Sequence, residues 1–220
     1  MLVLGGGPVG QFAVTGAFQQ GAGRVLLVDG VAGRLEQARG RGAEVADFNA
    51  EDPVAVVQEL TGGIGVDRVI EAVGVDVQRP ESGPAAEAAG QQAEQERSPV
   101  APEQHPHGDT FVPGDAPAQA LQWAVEAVAE AGTIGVIGVY PPQATSFPVG
   151  AAMDENLTVE MGTCDHRRYV PRLLDLVRTG PIDPSTVLTQ VGDMPSVLDA
   201  HETFDRRESG WTEVVLDPSA

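Results

Sequence analysis

Six residues constrain this chain more than any others. Gly5-Gly6-Gly7-Pro8-Val9-Gly10 directly follows the apolar run Leu2-Val3-Leu4 and precedes a helical pattern. The spacing is G-x-G-x-x-G at Gly5, Gly7 and Gly10, placed where a dinucleotide phosphate needs it. Gly5 permits the tight turn, Gly7 lets a pyrophosphate approach the backbone, and Gly10 lets the helix lie against the strand. The helix beyond offers unbonded N–H groups and a positive dipole end. Pro8, near the first helical position, removes no donor that is needed there. Glycine turns also occur for structural reasons, so a second element matters. The next strand, Val25-Leu26-Leu27-Val28, ends on Asp29, which follows Gly10 by 19 positions. A carboxylate there accepts hydrogen bonds from the adenosine ribose and repels a 2′-phosphate, which predicts NAD rather than NADP. A loop acid or helix cap is the alternative reading of Asp29.

The first 74 residues alternate short apolar runs with helical patterns. Strands are predicted over residues 2–4, 24–28, 43–46 and 66–70, with helices between them. Short apolar strands separated by helices point to a parallel sheet covered on both faces. After residue 118 the pattern predicts a helix over 117–130, a strand over 133–139, an extended piece over 144–149 and a strand over 157–161. A helix over 168–178, a strand near Val187, a helix over 196–204 and a strand over 212–216 complete the reading. The fold class expected is α/β, a Rossmann-type doubly wound six-stranded parallel sheet with helices on both faces. Residues 76–118 interrupt the pattern with seven prolines, eight acidic residues and two arginines. So little apolar surface offsets little ordering entropy, and a mobile insertion is expected there.

Charge and cysteine content exclude several functions. There are 32 acidic residues against 13 basic, all of the latter arginine, for a net charge of −19. A field of that sign repels nucleic acid and anionic lipid. The single cysteine, Cys164, rules out a disulfide or a multi-cysteine zinc site within these residues. No apolar run approaches the ~18 residues of a membrane span. Met1 to Leu4 run straight into glycines, so no signal peptide is expected and a cytoplasmic setting is the default.

The motifs together resemble the zinc-type, medium-chain alcohol dehydrogenases and, within them, the glutathione-independent formaldehyde dehydrogenase-like branch. The resembling runs are residues 5–10, 29–39, 42–43, 66–74, 132–140, 147–153 and 168–176. The resemblance implies that Asp29 and Arg34 lie at the adenosine end, with Gly5, Gly7, Pro8, Val9 and Gly10 at the phosphates. It implies that Val73 and Gly74 run beneath the cofactor and that Ile137, Gly138 and Val139 border the nicotinamide. Gly162 and Cys164 would supply backbone contacts to its carboxamide. Residues 1–164 then form the dinucleotide-binding domain. Residues 165–220 form a C-terminal segment that in relatives packs partly against an N-terminal catalytic domain. That domain carries the catalytic zinc in the family and is absent from this sequence. Where relatives carry a basic residue near the cofactor phosphates, this chain aligns Glu213. The resemblance also implies a homodimer through the edge stretch bounded by Ala144 and Val149.

Chemistry within the chain is sparse. Cys164-Asp165-His166 is too compact to give three tetrahedral zinc ligands from one strand end. His105 and His107, a pair on the expected insertion, predict no metal site. A Tyr-x-x-x-Lys pair is impossible without lysine. The chain is therefore expected to bind NAD(H) without catalysing hydride transfer by itself, with no catalytic or metal-ligating residue assigned. Two other readings stand beside this one: a nucleotide-binding sensor or interaction module, and an S-adenosylmethionine methyltransferase with a similar glycine loop and ribose acid.

Overall fold

Strands of three to six residues without an exposed polar face must be buried on both sides, and the first half of the chain folds accordingly. The computed structural model describes residues 1–89, 114, 116–206, 208 and 210–219. Its strands are β1 (Leu2–Leu4), β2 (Leu26–Asp29), β3 (Glu44–Asp47), β4 (Val66–Glu71), β5 (Val128–Val136) and β6 (Thr158–Met161). Between them run helices α1 (Pro8–Gln19), α2 (Ala32–Gly40), α3 (Pro53–Thr61), α4 (Pro84–Ala89), α5 (Gln119–Ala127) and α6 (Val149–Asp154). Helix α7 (His166–Thr179), strand β7 (Gln190–Asp193), helix α8 (Val197–Asp205) and strand β8 (Val214–Asp217) follow. The six strands lie in the order β3-β2-β1-β4-β5-β6, all parallel, and β7 pairs with β8 in a small second sheet. The doubly wound sheet expected from the sequence is the sheet observed.

Alternation along each strand sends side chains to two cores. Leu2, Leu4, Leu26 and Val28 join Val57, Leu121, Trp123 and Ala124 on one face. Val3, Val25 and Leu27 join Val14, Ala17 and Leu35 on the other. The order reverses direction between β1 and β4, and the crevice at the carboxyl ends of the strands at such a point is where ligands bind in open α/β sheets.

Several expectations need correction. Helix α5 ends at Ala127, and β5 begins at once with Val128 pairing Val66. A register irregularity follows, with Ala131 at φ 58°, so the strand starts five residues earlier than Thr133. The strand also stops at Val136, leaving Ile137, Gly138 and Val139 in the loop beyond it. Residues 144–149 are not an edge strand. Ala144 N–H donates to Pro141 O and Phe147 N–H to Thr145 O in local turns, and Val149 opens α6. Pro141, Pro142 and Pro148 lack N–H groups, which denies this stretch a continuous ladder. The edge of the sheet at this end is β6, and β3 is the other edge. Near Val187 there is a short 3₁₀ turn over Pro184–Thr186, and the strand comes later, as β7.

At both ends of residues 76–118 the described residues pack into the domain, contrary to the expectation of mobility there. Val77, Ala85, Ala116 and Ala118 are buried. Ser82 Oγ donates to Asn49 O at 2.7 Å, and Gly114 N–H donates to Val75 O at 2.9 Å. These short side chains and backbone groups find partners in the body of the domain. Residues 90–113, with His105 and His107, lie outside the described residues. The C-terminal segment is tied back to the domain by Gln19 Nε2 donating to Pro181 O and Arg41 Nη2 to Thr186 O, both at 2.8 Å. Among the described residues no helix is long and apolar enough to cross a membrane.

Candidate functional site

The glycine turn is built by exclusion of side chains. Gly5 has φ +92°, and a Cβ there would meet Val73 Cγ2 at 2.7 Å. A Cβ on Gly10 would lie 1.8 Å from Gly5 O, so α1 can start this close to β1 with glycine alone. Gly7 differs from both: nothing lies within 4 Å of where its Cβ would be, and that open side faces the start of α1. Pro8 is the first residue of that helix, and Val9 is half-exposed beside it.

Asp29 holds the turn in place. Its Oδ2 accepts from Gly6 N–H at 2.6 Å and its Oδ1 from Val31 N–H at 2.7 Å, ahead of α2. Arg34 Nη1 stands 3.8 Å from Oδ2, and both side chains are largely buried. Asp29 therefore has a structural role as well, tying the glycine turn to the residue that precedes α2, although it lies in β2 and α2 has no side-chain cap. A carboxylate offers about four lone-pair sites, so two N–H partners leave room for ribose hydroxyls. Gln11, fully buried, completes the frame by donating from Nε2 to Gly6 O at 3.0 Å and to Arg34 O at 2.9 Å. Nothing in the sequence singled out Gln11, because a polar residue early in an amphipathic helix reads as solvated.

An open-sided cavity of about 240 Å³ lies over this frame. Gly5, Gly7, Asp29, Arg34 and Val73 line it together, so the turn, the acid and the loop after β4 converge as the sequence implied. Phe48 and Trp123, their rings 5.8 Å apart, form with Ala120 an apolar wall that sequence reasoning missed. Phe204 and Asp205, from the end of α8, close its outer side. Gly74, Ile137, Gly138, Val139, Gly162 and Cys164 do not line this cavity. They lie further along the same carboxyl edge, after β4, β5 and β6, with Gly162 and Cys164 fully on the surface. Strand spacing of about 4.8 Å puts the ends of β2 and β5 roughly 14 Å apart, within reach of one extended dinucleotide.

A second carboxylate organises the loops beyond β4. Glu71, the last residue of that strand, is fully buried. Its Oε1 accepts from Val73 N–H and Gly74 N–H, each at 2.7 Å. Burial pushes its carboxyl above the usual range, and these N–H donors pull against that shift. The sequence carried the signal, since Ile70-Glu71-Ala72 ends an apolar strand on an acid just as Val28-Asp29-Gly30 does.

The described residues suit a dinucleotide. The open side of Gly7 leaves space for a phosphate against the backbone, and Asp29 stands at the end of β2. Cys164 and His166 are exposed, and among the described residues no three His, Cys, Asp or Glu side chains gather into a metal-holding group.

A profile of the family described as zinc-binding dehydrogenase matches residues 8–91. An uncharacterized zinc-type alcohol dehydrogenase-like protein, AdhB of Bacillus subtilis, is 34% identical over 99% of this chain and 52% of its own length. Over nearly its whole length the chain is similar to zinc-type alcohol dehydrogenases. An alcohol dehydrogenase of Cupriavidus necator is 26% identical over 98% of this chain and 48% of its own. The solved alcohol dehydrogenase TADH from Thermus sp. ATN1 superposes with a TM-score of 0.74 at 26% identity, over 98% of this chain and 50% of its own. The chain thus spans about half the length of the zinc-type dehydrogenases it matches, and the half it corresponds to is the dinucleotide-binding part.

Proposed function

We propose that this chain binds NAD(H) along the carboxyl edge of its sheet, as the cofactor domain of an enzyme moving hydride between NAD and an alcohol or aldehyde. The observation that carries this is the pairing of Gly7, open on its Cβ side, with Asp29 at the end of β2 in one cavity. Gly5, Gly7, Pro8, Val9 and Gly10 would receive the pyrophosphate at the start of α1, and Asp29 with Arg34 the adenosine ribose. Val73 and Gly74 would lie beneath the cofactor. Ile137, Gly138 and Val139, with Gly162 and Cys164, would border the nicotinamide. Bound there, NAD supplies the hydride acceptor. The chain's own residues bind and orient it, and none described here activates a substrate. The runs at residues 132–140, 147–153 and 168–176 support a finer placement in the formaldehyde dehydrogenase-like branch, in a cytoplasmic setting.

Asp29 also supports NAD over NADP. Its charge is held at the end of β2 by two N–H bonds, and Arg34, the cation beside it, is already engaged with it. In a fluorescence titration NADH should bind at least about tenfold more tightly than NADPH, a difference of ~1.4 kcal/mol. Asp29→Ala should weaken NADH and narrow the gap. Equal affinity of the native chain for the two would overturn the reading.

The same reading includes a homodimer through residues 144–149. Val149, Met153 and Met161 are exposed around this stretch, apolar surface that a second copy would cover. Since the stretch is turned rather than extended in the single chain, pairing would require it to straighten.

A further inference from the structure

We infer that Glu71 is a positioning residue for the bound dinucleotide: its buried carboxylate fixes the loops after β4 and β5 to each other, and so sets the floor on which the half of the cofactor beyond the adenosine rests. The inference builds on the cofactor reading above. It rests on two N–H bonds to one carboxylate oxygen, with the loop after β5 packed against the other. Oε1 takes the N–H groups of Val73 and Gly74 at 2.7 Å each. Oε2 is buried against the Gly138 N–H and the Tyr140 hydroxyl, without a well-formed bond to either in this structure. Tyr140 Oη is itself buried and has no other partner.

The backbone repeats the connection. Glu71 O accepts from Ile137 N–H at 2.9 Å and Gly138 N–H at 3.1 Å, while Val75 N–H donates to Val139 O at 3.1 Å. The fit is close enough to demand glycine twice. A Cβ on Gly138 would lie 2.3 Å from Glu71 Oε2, and one on Gly74, at φ +76°, would lie 2.5 Å from Val139 N.

A fully buried carboxylate whose partners are N–H and O–H dipoles rather than a cation is expensive to keep. Gln would preserve its shape and still accept at Oε1. Its amide, however, would place a donor against two donors, where a carboxylate accepts at both oxygens. Glu71 touches neither the cavity nor, on this reading, the cofactor, so its influence is carried by Val73, Gly74 and Gly138.

The loops it joins lie on the far side of β1 from Asp29, which gives the test its discrimination. AMP rests mainly on the β1–β2 end and meets the loop after β4 only at the border of the cavity, whereas NADH needs the whole floor. Titrating the native chain, Glu71→Gln and Tyr140→Phe with both nucleotides, with melting followed alongside, should separate the two. Glu71→Gln is expected to weaken NADH about tenfold while AMP stays within about twofold and folding is kept. Tyr140→Phe should weaken NADH about threefold, again sparing AMP, and it carries the test if Glu71→Gln does not fold. Unchanged NADH affinity in a folded Glu71→Gln overturns the inference, as does parallel loss of NADH and AMP, which would indicate a general structural role. If Glu71→Gln does not fold, unchanged NADH affinity in Tyr140→Phe overturns it. If the native chain bound neither nucleotide, the cofactor reading would fall first and this inference with it.

Discussion

Gly7 and Gly10 stand three residues apart in one motif, yet the structure assigns them opposite physical roles. Gly10 is glycine because the protein itself occupies the space, with Gly5 O 1.8 Å from a would-be Cβ. Gly7 has φ −65° and ψ −175°, a conformation any residue adopts, and faces open space. A methyl group should therefore be tolerated by the fold at Gly7 and not at Gly10. Gly10→Ala is expected to cost ~3 kcal/mol or more by overpacking, lowering the melting temperature by roughly 10 °C in a chain of this size. Gly7→Ala should melt within about 2 °C of the native chain yet bind NADH about tenfold more weakly. Thermal melts paired with NADH titrations check both, and a Gly7→Ala variant with native affinity would remove the phosphate from that turn. The sequence reading gave the two glycines different roles, and the distances supply the physical reason at Gly10.

Among the elements, α7 is the one whose pattern and environment disagree. Tyr169, Val170, Leu173, Leu174 and Val177 recur at helical spacing, the signature of a face that packs. None of its residues is buried, and Leu173 and Leu174 are 48% and 56% exposed. The helix is held by its own ends, with Asp165 accepting from Arg168 N–H at 3.3 Å and Gly180 closing it at φ +94°. Replacing both leucines by glutamine should change stability by no more than about 0.5 kcal/mol per site and reduce binding of a dye such as ANS. A fall in melting temperature of more than about 5 °C would show that this face packs within the chain. Strands β1 to β4 behave oppositely. Their apolar runs are short, each is enclosed by helices, and their boundaries were readable to within two residues because strand type and burial agree.

For the whole molecule, charge sets the conditions under which it associates. A net charge of −19 on each chain opposes any homodimer, and salt screens that repulsion over about 8 Å at physiological ionic strength. Dimerisation through residues 144–149 should therefore strengthen as salt rises, and Ser146→Pro should weaken it by removing an N–H from the pairing stretch. Sedimentation at low and high salt would show the native mass moving toward twice the chain's. A chain that stays monomeric at every salt and at high concentration would refute the contact. The sequence by itself determined the alternation of strands and helices, the glycine turn and the acid that closes β2, because each depends on neighbours along the chain or on one periodicity. The tertiary structure decided what lies beyond that range. Glu71 meets the Tyr140 region because β4 and β5 are adjacent in the sheet, across 69 positions of sequence. Trp123 walls the cavity because α5 packs on β4, and residues 144–149 turn instead of extending, with Pro141 and Pro142 before them and Pro148 within. Contacts of that kind follow from the order of strands across the sheet, which no spacing along the chain records.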